Sequence, residues 1–513
     1  MFLLLRYYFD FVVDFIFAFY YKFMWKIEKI QPPNTKIVLE GASSLARQIK
    51  TRQITSEEVV RAFITQIRQT NPILNAVVDD RFSEAIQEAQ TIDKQIASGT
   101  MSDEDFQRQP LLGVPFTAKE AISVKGLSHT LGLVSRKSHT APFDADVILL
   151  LKRAGAIPLG VTNVPQLNGW SETSNPVYGT TNNPYDTRRT VGGSSGGEAA
   201  VVSACGSGFG VGTEMGGSVR LPAFMCGLFG HKTCSHLVSL KGIMFNTQDR
   251  KMDMASFGIF VRTSGDIAPI LKVMVGENVR RLNLDDRVDL EGVKVHYVLD
   301  PGDFFVSPFR DEMTQLMLKA VGYLKKVLPQ EPHLLTIEEL KYGGRVWFPL
   351  LNRALDCNFR KDLTNRQGVV NPLKEIVKFV LRRSDFNVFV MMGLLADVAP
   401  KENLNWAKEV VSILKNKLLD TLGTHGVLLY PSAPFPASYH YASLFRPFNL
   451  NLFNVWNALD FCVTQVPMGL DKHGVPLGLQ VVAAPHQDHL TIAVAAELEK
   501  AFGGYVPPFE LKQ

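Results

Sequence analysis

Cysteine is scarce in this chain, and neither sign of charge is in marked excess. Five cysteines (Cys205, Cys226, Cys234, Cys357, Cys462) are scattered over 513 residues with no CxxC pair. That spacing gives neither a disulfide framework nor a thiolate zinc site, although an isolated bridge stays open. The 54 Lys and Arg against 50 Asp and Glu leave +4, too mild a surplus to attract nucleic acid. No internal repeat, low-complexity tract or Pro/Gly/Ser linker divides the chain. A single domain is therefore expected, despite a length that could hold about three. No Gly-Lys-Ser/Thr follows the glycine clusters, which removes a phosphate loop. No apolar strand runs into Gly192, which removes a dinucleotide fingerprint. No cofactor and no metal ligand set is implied. With 46% hydrophobic and 20% charged residues, the remainder reads as an ordinary globular protein.

One long apolar run is present. Phe2–Phe23 holds 13 Phe, Leu, Ile and Val residues and lacks the small-residue cleavage site of a signal peptide. Arg6, Asp10 and Asp14 recur every four residues within it, on one helix face. The transfer terms nearly cancel: about −6 kcal/mol from the apolar residues, about +5 to +7 kcal/mol from two central aspartates. Pairing of Arg6 with Asp10 lowers that cost. A spanning helix and an interfacial one stay open, beside a helix packed on the body or on a second copy of the chain. The expectation is an N-terminal membrane helix at 1–29 and a body at 30–513. Lys22, Lys26 and Lys29 favour a cytoplasmic body if the helix spans.

The body alternates helices with short apolar strands, which predicts an α/β core with a mixed or largely parallel sheet flanked by helices. Thr55 and Glu58 form a capping-box pattern ahead of the apolar stripe Val60, Phe63, Ile64 and Ile67. Ala145–Gly155 reads as a buried helix feeding the strand Ala156–Val161. Further strands are predicted at Val293–Val298, Gly426–Tyr430, Cys462–Val466 and Leu477–Ala483, with long helices at Phe309–Leu328 and Glu402–Leu422.

The chemistry concentrates in Thr190–Ala223, TVGGSSGGEAAVVSACGSGFGVGTEMGGSVRLPA. Its glycines allow main-chain N–H groups to converge on a ligand. Gly192-Gly-Ser-Ser-Gly196 also matches a G-x-S-x-G nucleophile elbow. That elbow needs an apolar strand directly before its serine, and Asn183–Thr190 is polar and turn-forming. His440, His473, His486 and His489 stay available as bases for that weaker reading.

The combination of Gly192-Gly-Ser-Ser-Gly-Gly-Glu198 with Gly212-Thr-Glu-Met-Gly-Gly-Ser-Val-Arg220 resembles the amidase signature family. Gly113-Val-Pro-Phe-Thr-Ala-Lys119 and Gly474-Val-Pro-Leu-Gly-Leu-Gln-Val481 extend the likeness, which runs from about Ala42 to Gly503. Asn182-Asn-Pro-Tyr-Asp186, Glu198 and Pro222–Lys232 make it similar to the fatty-acid amide hydrolases within that family. The resemblance implies the amidase signature fold and a Ser-Ser-Lys triad of Lys119, Ser194 and Ser218. It makes Ser218 the nucleophile, Ser194 (after a cis Gly193–Ser194 peptide) the proton shuttle, and Lys119 the base. These residues lie 75 and 24 positions apart, so only the fold can bring them together.

The residue types suit those roles. An alcohol needs a base to attack an amide, and an ammonium cannot serve. Lys119 follows apolar Val114 and Phe116, and burial there would favour the neutral amine. The N–H groups of Met215, Gly216, Gly217 and Ser218 are the expected oxyanion hole. Arg220 and Thr213 are expected to tie the loop together without a catalytic part. The family commonly has Asp where Glu214 stands, so hydrogen bonds around this loop are expected to differ. Thr233 and Ile259 stand where prolines are common, and Ala458 where glycine is.

The implied activity is hydrolysis of fatty-acid amides to fatty acid and amine through an acyl-enzyme. Alternatives are a generic amidase, the amidase component of a tRNA amidotransferase, or an amidase-like lipid-binding protein without turnover. A lipid amide substrate, a membrane surface and a homodimer are the expected partners, with an endomembrane location. Lys374–Leu395, where Lys374, Lys378 and Arg382 recur beside apolar residues, reads as a membrane-dipping cap or an ordinary surface helix.

Overall fold

The computed structural model describes residues 2–243, 252–354, 359–398 and 402–510; Cys357 lies outside them. Eleven strands form one mixed sheet. From one edge the order is Val77–Asp80, Ile157–Thr162, Pro115–Lys119, Phe209–Glu214, Ser256–Val261 and Phe229–Lys232. Cys462–Leu470, Pro476–Ala483, Gly426–Pro431, Lys294–Tyr297 and His333–Leu334 complete it. The five strands expected from apolar runs all occur, each starting within about one residue of its expected position. Helices at Asp146–Arg153, Asp311–Val327 and Leu404–Leu422 match to within about two residues. The capping box is formed: Thr55 Oγ1 accepts from Glu58 N–H, and the Glu58 carboxylate accepts from Thr55 N–H.

Three central strands escaped the sequence reading: Phe209–Glu214, Phe229–Lys232 and Ser256–Val261. Gly210 and Gly212 dilute the apolar signal of the first. A Cβ at Gly210 would collide with Glu198 Oε2, so close packing there excludes the residues that announce a strand.

Pro115–Lys119 runs parallel to both of its neighbours, Ile157–Thr162 and Phe209–Glu214. The C-terminal ends of these three strands therefore lie together at one end of the sheet. Lys119 ends one strand and Glu214 another. The helix Gly196–Ser203, buried along its length, packs beside them. Cys205, Cys226, Cys234 and Cys462 are free, buried thiols.

The N-terminal segment is a helix, Phe2–Met24, but no helix among the described residues is long and apolar enough to cross a membrane. Of the alternatives left open by the sequence, the spanning one therefore has no helix to carry it among the described residues. The charged face of Phe2–Met24 is occupied with the body instead. Arg446, with a side chain 2% exposed, donates through Nε to Asp10 at 2.9 Å and through a terminal nitrogen to Asp14 at 2.7 Å. Arg310 also pairs with Asp14. Tyr21 stacks on Tyr439 with ring centroids 5.4 Å apart, and Val13 is buried. The other face exposes Leu5, Phe11, Phe15, Ile16, Phe19 and Phe23.

The segment Lys374–Leu395 is not one helix. It divides into Pro372–Val380 and Val388–Val398, because Arg382 takes a left-handed φ and Asn387 caps the second helix. Leu373, Val377, Val380 and Leu381 stand exposed beside the lysines.

Replacing Arg446 by Met would remove the buried cation that the two carboxylates share, leaving Asp14 to Arg310 and Asp10 to Arg6, at a cost of about 3 kcal/mol. The expected result is faster proteolytic cleavage between Met24 and Lys29 and a lower melting temperature. Unchanged protection would mean that apolar contacts alone hold the helix.

Candidate active site

Lys119, Ser194 and Ser218 meet at that end of the sheet. Lys119 Nζ lies 2.7 Å from Ser194 Oγ, and Ser194 Oγ lies 2.9 Å from Ser218 Oγ. Lys119 and Ser194 are buried, while Ser218 is partly exposed and reachable. The Gly193–Ser194 peptide is cis. Ser195 N–H donates to Ser218 O at 3.1 Å, which joins the two serine loops directly.

Lys119 is fully buried, and the loss of hydration lowers its amine to about 7. Glu214, Glu198 and Glu120 all pull in the opposite direction, and desolvation outweighs them. Glu198 helps little to restore the charge, because burial pushes its own carboxyl up to about 8. It is held by the hydroxyls of Thr117 and Thr162, each at 2.8 Å. Near neutral pH the lysine is thus poised between its two forms.

Thr213 has a larger place than the sequence assigned to it. Its Oγ1 lies 3.0 Å from Lys119 Nζ, and its carbonyl oxygen lies 3.4 Å away. These oxygens orient the amine, leaving Ser194 as its third neighbour. Arg220 does tie the loop, through Glu214. The Glu214 carboxylate accepts from the N–H groups of Val219 at 2.8 Å and Arg220 at 3.2 Å. It also faces Arg220 Nε at 2.7 Å. Arg220 reaches on to Gln480 Oε1 at 2.6 Å and to Phe453 O and Asn457 Oδ1, both at 2.8 Å. Every polar atom of this buried pair has a partner, as a buried ion pair requires.

Met215–Ser218 links the strand that ends at Glu214 to the helix that begins at Arg220. Among the described residues nothing accepts a hydrogen bond from the N–H of Met215, Gly216, Gly217 or Ser218. Buried main-chain donors are rarely left in that condition. Gly217 has φ +111°, and a Cβ there would stand 2.5 Å from Phe453 Cβ. A residue other than glycine would meet both a backbone penalty and a clash. The sequence did not single out Trp347, whose Nε1 donates to Met215 O at 2.7 Å across 132 residues. No local pattern signals a contact of that range.

The amidase family model matches residues 58–492 of the chain. This chain belongs to the amidase signature family. Its body, catalysing amide hydrolysis as that family does, carries the signature loops at the ends of the parallel strands. Human fatty-acid amide hydrolase 2 is 38% identical over 488 residues, covering 93% of this chain and 92% of its own. The zebrafish (Danio rerio) fatty-acid amide hydrolase 2-A is 38% identical over 94% of this chain and 92% of its own. A glutamyl-tRNA(Gln) amidotransferase component from Treponema pallidum (strain Nichols) is 40% identical, covering 89% of this chain and 97% of its own. Among solved structures, a fatty acid amide hydrolase superposes with TM-score 0.74 at 19% identity, over 97% of this chain and 91% of that one. The 6-aminohexanoate cyclic dimer hydrolase with its substrate gives TM-score 0.73 at 21% identity, over 91% and 97%. Those two likenesses establish the amidase signature fold.

In this amidase, Arg220→Met should leave the Glu214 charge buried without its cation, costing about 3–5 kcal/mol. Thermal melting would register the loss. Near-wild-type stability would mean that the Val219 and Arg220 N–H groups alone satisfy the carboxylate.

Proposed function

We propose that this amidase cleaves long-chain fatty-acid amides to fatty acid and amine, with Ser218 as nucleophile, Ser194 as shuttle and Lys119 as base. The observation that carries the chemistry is the unbroken relay Nζ–Oγ–Oγ at 2.7 and 2.9 Å. Ser218 Oγ forms a bond to the amide carbon, and the carbonyl π pair moves onto its oxygen. The Ser218 proton passes to Ser194, whose own proton passes to neutral Lys119. Collapse of the oxyanion breaks the C–N bond, and the departing nitrogen takes a proton returned through Ser194. Water then attacks the acyl-serine with the same relay. The net change is amide plus water to carboxylic acid plus amine.

The free N–H groups of Met215–Ser218 are proposed to bind the oxyanion, each such donor typically contributing about 3–4 kcal/mol to the transition state. Glu214, longer by one methylene than the aspartate common in the family, keeps this loop clamped rather than collapsed. That supports turnover over a purely lipid-binding role.

The acyl preference rests on likeness to the fatty-acid amide hydrolases 2 from human and zebrafish. Likeness to the amidotransferase component supports a second reading, in which short amides are turned over and long ones are not. A panel of acyl p-nitroanilides from acetyl to oleoyl separates the two. The expected result is a kcat/KM that rises with chain length and is abolished in Ser218→Ala. Preference for the acetyl compound would overturn the lipid reading.

The base assignment predicts a pH profile. Only unprotonated Lys119 can accept a proton, so kcat/KM should rise with pH, reach half its maximum near pH 7, and level off above. Lys119→Ala should lose that limb together with about 10²–10⁴-fold of the rate. A flat profile between pH 5 and 9 would discard the base.

We infer further that the exposed apolar face of Phe2–Met24 lies on a lipid surface while its acidic face stays docked on the body. The exposed Leu373, Val377, Val380 and Leu381 provide a second apolar patch. Binding of this kind grows with buried apolar area. Deleting residues 1–29 should weaken flotation with phosphatidylcholine vesicles and leave hydrolysis of a short amide intact. A protein that fails to float, and instead loses a dimer on deletion, would make a second copy the occupant of that face.

A further inference from the structure

We propose that Trp347 is a positioning residue that fixes the orientation of the Met215–Gly216 peptide and so aims the Gly216 N–H at the reacting carbonyl oxygen. The inference rests on the oxyanion reading given above.

In a planar trans peptide the C=O and the following N–H point in opposite directions. Whatever holds the Met215 carbonyl therefore also directs the Gly216 N–H, away from that holder. The holder is Trp347, whose Nε1–H donates to Met215 O at 2.7 Å. The same indole lies against the Gly216 α-carbon: a Cβ there would stand 2.5 Å from Trp347 Cζ2 and 2.9 Å from Cε2. One side chain thus grips both ends of one peptide.

A specific grip is needed at this point. Met215 precedes two glycines, and glycine accepts either sign of φ at little cost. Rotation of the Met215–Gly216 plane would turn the N–H out and bring the carbonyl dipole in, against the developing negative charge. Glu214 does not prevent this, since its hydrogen bonds reach only Val219 and Arg220 on the far side of the turn. Phe453 braces Gly217 and not the preceding plane. Trp347 is the residue that acts on that plane.

Its own placement is firm. Trp347 is 8% exposed on the helix Gly343–Ala354. The start of that helix lies directly on Asn451 and Val455 of the helix Asn451–Leu459. The latter also supplies Phe453 and Asn457, the partners of Arg220. The tryptophan and the ion-pair clamp therefore share one support.

Two substitutions in the full-length enzyme test the inference, because they separate the N–H from the ring. Trp347→Phe keeps an aromatic ring and loses the donor. Trp347→His loses the benzo ring but keeps a donor, since imidazole Nε2 superposes on indole Nε1. With decanoyl p-nitroanilide above pH 8, Trp347→Phe should lower kcat about 10- to 100-fold at nearly unchanged KM. Trp347→His should recover most of that loss, even with a lower melting temperature. A trifluoromethyl ketone, whose adduct on Ser218 carries the oxyanion, should bind more weakly to the Phe variant by a similar factor. A role in packing alone predicts the reverse order of the two variants and an unchanged ketone affinity, and either result would overturn the proposal. Should Trp347→Phe not fold, Trp347→His decides: near-wild-type kcat supports the latch, and a loss as large as 100-fold overturns it. Ser218→Ala, run in parallel, keeps the two readings apart. Full activity there sinks the serine mechanism itself, whereas an inactive Ser218→Ala beside an unimpaired Trp347→Phe removes the latch alone.

Discussion

Removing water from a single amine is the constraint on which this site is built. A lysine in solvent is an ammonium at neutral pH, with no lone pair to offer. Lys119 sits at the last position of a strand hydrogen-bonded on both sides, so its side chain is delivered into the protein interior. Three glutamates nearby would ordinarily restore its charge. Desolvation of the amine outweighs them, and burial moves the carboxyls of Glu198 and Glu120 toward their neutral forms. The threonine hydroxyls around Glu198 and Lys119 satisfy polar atoms without contributing charge. That is how a buried polar cluster can be fully hydrogen-bonded and still favour a free amine.

The loop beside the amine poses the opposite problem. Four N–H groups that make no hydrogen bond within the described protein give Met215–Ser218 every incentive to refold onto some nearby acceptor. Stability for such an arrangement has to come from outside the loop. Glu214 and Arg220 bracket it and fasten it to the helix Asn451–Leu459, so its ends are rigid. Trp347 and Phe453 press on the two glycines between them. In the oxyanion role proposed for them, donors held open in this way would need no reorganisation when charge appears.

The legibility of these features in the sequence follows their range. Strands such as Gly426–Pro431 and Cys462–Leu470 announce themselves because they are buried and carry runs of apolar side chains. Phe209–Glu214 lies just as deep but gives up two positions to glycine, because Glu198 and Ser195 occupy the space that side chains would fill. A strand shaped by its neighbours cannot be read from itself. The three candidate residues were legible through their motifs, whereas Trp347 and the hydroxyl of Thr213 were not. Their parts depend on which way a carbonyl or an amine points, and no periodicity encodes that. Lys374–Leu395 misled for the same reason: its spacing suits one helix, yet the cap at Asn387 divides it.

The N-terminal helix shows how one set of charges can decide between two fates. Asp10 and Asp14 make a bilayer crossing costly, and the same carboxylates find Arg446 and Arg310 on the body. Arg446 belongs to the segment Tyr439–Leu450, whose Tyr441 and Ser443 N–H groups are held by the buried Glu172 carboxylate. Trp170, two residues before Glu172, touches the space beside Gly193 with its carbonyl and donates its indole N–H to Ser443. A continuous run of contacts thus joins the helix to the peptide that carries Ser194. Ion pairs dock the helix on the body, so its exposed apolar face and the peptide that carries Ser194 belong to one connected network.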